Sequence, residues 1–196
     1  LDAAYEQGNV SALTAKLQAL ADDIEVRGVV VPVENDTAVD DAYTAWDGAA
    51  CSVEMANAVA GSIKDTISAY LEAYPTIHYL VLVGDDLMLP FYRVPDDAQV
   101  ANESVYASRA RIEVDNPTFA ALETGYILTD DYYGDASPWD WRGRELYTPD
   151  LAIGRLVETP DEMVAQIDAF LAHRALAASD AFVSGYDFLI DSAVAI

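Results

Sequence analysis

Carboxylates are the residues of this chain best placed to do chemistry. Asp85 and Asp86 close an apolar run, Asp130 and Asp131 form a second adjacent pair, and Asp135 and Asp140 follow soon after. Acids gathered at one place repel unless a cation, an arginine or water neutralises them. Calcium takes roughly six to eight oxygen ligands, and Asp130, Asp131, Asp135 and Asp140 with nearby carbonyls offer a loop of that kind, although not with EF-hand spacing. The commoner outcome for partly buried acids is pairing with a guanidinium, here Arg93, Arg144 or Arg155. Arg155 lies inside an apolar run, so if it is buried it requires a carboxylate partner.

The thiol and imidazole inventory is short. Cys51 precedes a helix start, which lowers a thiol pKa. A nucleophilic dyad would pair it with His78. His78, however, sits at the amino end of an apolar strand, the wrong end for a site in a parallel sheet. Cys51 therefore reads as a small hydrophobe. His173, late in a helix beside Arg174, reads as a surface residue matched to the helix dipole. Trp139 and Trp141 flank Asp140 in a loop. If exposed they make a contact surface for peptide or sugar, but packing over a core edge is the favoured expectation.

Those residues need a scaffold, and composition allows one. The 196 residues are 53% hydrophobic with 12 Tyr and 3 Trp, enough for one good-sized core. The 34 acidic residues against 10 basic give a net charge of −24, and only Lys16 and Lys64 are lysines. A field of that sign repels phosphate backbones and anionic membranes, so neither nucleic acid nor membrane is expected as a partner. It suits solubility in high salt or cation binding. One cysteine excludes an intrachain disulfide and leaves the redox compartment open. No apolar run reaches spanning length, and no charged-then-apolar segment opens the chain. A first residue Leu1 and an apolar stretch from Phe188 to Ile196 suggest a fragment of a larger protein.

Ile77 to Val83, ending in Gly84, Asp85 and Asp86, reads as the central strand, buried on both faces. Before it, residues 52–74 carry a helical stripe of Ala56, Val59, Ala60, Ile63, Ile67, Tyr70, Leu71 and Tyr74, capped by Ser52 and stopped by Pro75. Residues 9–22 read as a helix capped by Asn9 or Ser11. Gly28 to Val33 is a first strand with Pro32 forcing an early end or an edge. Glu34 to Gly48 is acidic and reads as loop with a short helical turn, and Pro90 to Asp97 as a proline-punctuated loop. A helix is expected near 117–123, strands at the start of 125–133, at 150–157 and at 186–190. Thr159-Pro160-Asp161-Glu162 is a capping box with proline at the first helical position. Alternating strands and helices predict one α/β domain over 1–196, three-layered, with a mainly parallel sheet and right-handed crossovers.

Taken together, LVLVGDD (80–86), LPFYR (89–93), LTDDYYGD (128–135), PDLAIGRL (149–156) and TPDEMVAQIDAFL (159–171) resemble the first half of the gingipain-type cysteine peptidases, which have a caspase-like fold. The resemblance covers about residues 28–190. It implies the amino-terminal, non-catalytic half of an extracellular or cell-surface endopeptidase. The partners it implies are the catalytic half of the same polypeptide and a peptide substrate. The family's catalytic His, in a Gly-His-Gly context, and its Cys after the next strand have no counterpart here, so no catalytic residue carries over. Two other readings stand beside it. One is a caspase-like binding or structural module without catalysis. The other is a phosphoacceptor domain of the response-regulator type, against which counts the lack of any lysine after Lys64.

Overall fold

The computed structural model describes residues 5–107 and 116–173. Helix α1 spans Gln7–Ala21, α2 Thr37–Asp47 and α3 Val53–Ala73, followed by strands β1 Tyr79–Val83 and β2 Tyr92–Pro95. Helices α4 Glu103–Ala107 and α5 Pro117–Glu123 lead to β3 Tyr126–Thr129 and the short α6 Asp131–Gly134. A hairpin of β4 Trp139–Trp141 and β5 Arg144–Leu146 precedes β6 Ala152–Leu156 and α7 Pro160–Ala172.

The α/β class expected from the sequence is what folds. β1 pairs in parallel with β6, Tyr79 opposite Ala152 and Val83 opposite Leu156. Period-two alternation sends Leu80, Leu82 and Ile153 into one core with Val39, Trp46, Val59 and Ile63 of α2 and α3. It sends Val83 and Leu156 the other way, against Leu13 of α1 and Met163 and Ile167 of α7. Helices thus flank the parallel pair on both sides, in three layers. β2–β3 and β4–β5 are antiparallel. The expected 186–190 strand and Arg174 lie outside the described residues.

Several local expectations need correction. β1 is not buried on both faces among the described residues, since Tyr79 is 77% and Val81 50% exposed. Helices α1 and α7 meet this face only near its carboxyl end, at Val83 and Leu156. Residues 28–32 form no ladder among the described residues, and Val33–Asn35 turns as a 3-10 helix behind Pro32, which has no N–H to donate. Residues 37–47, read as loop with at most a short helical turn, are the 11-residue helix α2. Its apolar positions Val39, Ala42, Tyr43 and Trp46 follow helical spacing and face α3, while Asp36 caps it by accepting the Ala38 N–H at 2.9 Å. The proline-rich 90–97 stretch contains β2. Helix α1 begins after Glu6, not at Asn9 or Ser11.

Other signals held. Ser52 caps α3 through the Met55 N–H, and Asn116 caps α5, the helix expected near 117–123. Thr159 and Glu162 form the reciprocal box, with Thr159 N donating to Glu162 Oε2 at 3.1 Å. Thr159→Ala is expected to lower stability by about 1 kcal/mol, read as a shift in urea midpoint with an unchanged slope. No loss would mean that α7 is held by packing alone.

Candidate functional site

A network of polar side chains surrounds the segment 84–91, at the carboxyl end of β1. In open α/β sheets that is the end at which ligands are met. Gly84 starts it with φ +126, where a β-carbon would also meet the Met88 Cβ at 2.8 Å. Glycine is required here on both counts. The chain then leaves the sheet, and its carbonyls lose their ladder partners. A buried carbonyl without a partner is costly, and side chains from four separate segments supply the missing donors.

Arg155 is the main one. Its Nη1 lies 2.7 Å from the Gly84 carbonyl, 2.9 Å from that of Leu89 and 3.2 Å from that of Asp85, so two protons are shared among three acceptors. Its other edge grips Asp130 through both oxygens, Nε at 2.9 Å and Nη2 at 2.5 Å. Phe91 lies against the guanidinium, 4.2 Å from the ring centroid. Two phenols complete the series: Tyr43 donates to the Met88 carbonyl and Tyr133 to that of Pro90. Arg93 donates to the Phe91 carbonyl and pairs with Asp86 at 2.8 Å. Arg93 is 1% exposed, and its backbone is clamped by Asn57 in both directions. Asp86 also accepts from the Phe91 N–H and the Thr118 hydroxyl.

Of the four acids Asp85, Asp86, Asp130 and Asp131, two are paired with arginine, and a third arginine pairs with the exposed Asp97. Arg93 pairs with Asp86, Arg155 with Asp130 and Arg144 with Asp97. Asp85 holds the turn itself by accepting the Leu87 and Met88 N–H groups. Asp131 is exposed. Asp135 is buried, accepting from Ser137 and Thr148, and Asp140 closes the hairpin turn by accepting from Gly143. Among the described residues no three metal-ligating side chains converge. Asp130 is engaged by Arg155, Asp135 and Asp140 by backbone N–H groups of their own loops, and Asp131 faces solvent.

Cys51 and His78 are not brought together. Cys51 is exposed in the turn before α3, and His78 is exposed between α3 and β1. The 21-residue α3 separates them, a length of about 30 Å. His173 is exposed and ends α7 as its C-cap. Trp139 and Trp141 do not pack over a core edge: they are 71% and 56% exposed on the hairpin. Its turn at Arg142 and Gly143 has positive φ at both residues, the primed geometry favoured by two-residue hairpins.

No motif marks Tyr43, and LTDDYYGD contains Tyr133 without marking its role, yet both phenols pin the segment. Burial pushes both phenols well above their ordinary 10.0, and pushes Tyr132 up to about 12. The native state thus keeps protons that the unfolded chain releases first. That contribution to stability is complete below about pH 10 and is lost as pH rises from there toward the raised native values. Urea midpoints measured upward from pH 8 are expected to fall steeply above about pH 10, and less steeply in Tyr43→Phe. An equal fall in both proteins would remove Tyr43 from the account.

Behind the rim, Lys64 lies over the Tyr132 ring at 4.1 Å, and burial lowers its pKa. It lines a cavity of about 80 Å³ with Leu71, Tyr133 and Asp135, well short of the roughly 300–1,000 Å³ usual for ligand pockets. The arrangement is a platform tied down by side-chain donors, with Leu87 exposed at its tip. No helix among the described residues is long and apolar enough to cross a membrane.

No curated protein and no solved structure matches the chain. The model of peptidase family C25, the gingipain family, matches residues 10–185 and so takes in every element of the platform. By that match over most of its length, the chain belongs to peptidase family C25.

Proposed function

We propose that this chain is the amino-terminal, non-catalytic half of a gingipain-like cysteine endopeptidase unit with a caspase-like fold. Its catalytic half would follow in the same polypeptide and act on peptide substrates outside the cell or at its surface. One observation carries the reading: in a member of a cysteine-peptidase family, Cys51 and His78 stand at opposite ends of α3. Thiolate catalysis needs a base within hydrogen-bond reach and donors for the oxyanion. The pinned 84–91 segment fits the supporting role, since it offers a fixed surface at the end of the sheet where ligands are met.

The purified chain is expected to hydrolyse no peptide, and a longer polypeptide that includes the downstream half is expected to do so. Turnover by the chain alone that disappears in Cys51→Ser would overturn the proposal. The exposed Trp139 and Trp141 favour a second reading, a caspase-like binding or structural module without catalysis. The parent gene separates the two. A Gly-His-Gly after a strand and a Cys after the next support the peptidase, and their absence supports the module.

A further inference from the structure

We draw no further inference here: the strongest candidate, the outward face of hairpin β4–β5 that carries Trp139, Trp141 and Leu146, is an exposed apolar patch, and nothing in the structure shows what covers it.

Discussion

Arg155→Met is expected to destabilise the fold by about 3–5 kcal/mol, the usual range for breaking one side of a buried ion pair. The guanidinium and Asp130 side chains are 8% and 18% exposed, so the stranded carboxylate would be poorly hydrated. The loss extends further, because the Gly84, Asp85 and Leu89 carbonyls would give up the same donor. Methionine keeps most of the aliphatic volume, which confines the effect to polar groups. Arg155→Lys should recover little, since an ammonium cannot grip Asp130 through two parallel bonds while serving carbonyls on its other side. Urea denaturation gives the magnitude, and amide exchange across 84–91 gives the location. A loss under about 1 kcal/mol, or unchanged exchange in that segment, would show that the loop is held by something other than Arg155.

The second large effect is expected at Asp86→Ala. Arg93 and Asp86 side chains are 1% and 7% exposed, and the substitution leaves a guanidinium charged in a site with almost no water. A cost of about 3–5 kcal/mol follows from the same reasoning, with the Phe91 N–H and the Thr118 hydroxyl also orphaned. Asp97→Ala is the internal comparison. It breaks an ion pair at a similar distance, but its partners are 43% and 71% exposed, and exposed pairs contribute about 0–1 kcal/mol. If the two variants lost equal stability, burial would not be what gives the Asp86 pair its weight.

The sequence disclosed these features unevenly, and the reasons are physical. Thr159 to Glu162 was legible because a capping box is local: every group involved lies within one helical turn. The α3 stripe was legible for the same reason, its period being read from contiguous residues. Arg155 announced a need for a carboxylate by sitting in an apolar run, but nothing in the run named Asp130, which the fold delivers from another strand end. Helix α2 was missed because its acids, on the solvent side, drew attention from the Val39, Ala42, Tyr43 and Trp46 stripe. With α2 went Tyr43, one of the pins. β2 was hidden by prolines that the edge of a short antiparallel pair tolerates. The family resemblance, carried by short motifs in order, reached the platform without revealing how it is held.

The ties on residues 84–91 also govern when that segment can form. Its donors come from residues 43, 93, 133 and 155, and the Arg155 bond to Gly84 closes a span of 71 residues. Distant closures carry their entropic cost before any contact rewards it, which places them late in assembly. During synthesis the turn after β1 would stay unfinished until β6 had left the ribosome, with its carbonyls bonded to water. A chain interrupted before residue 155 would carry the same turn in an open state, recognisable to a protease as the mark of an incomplete molecule.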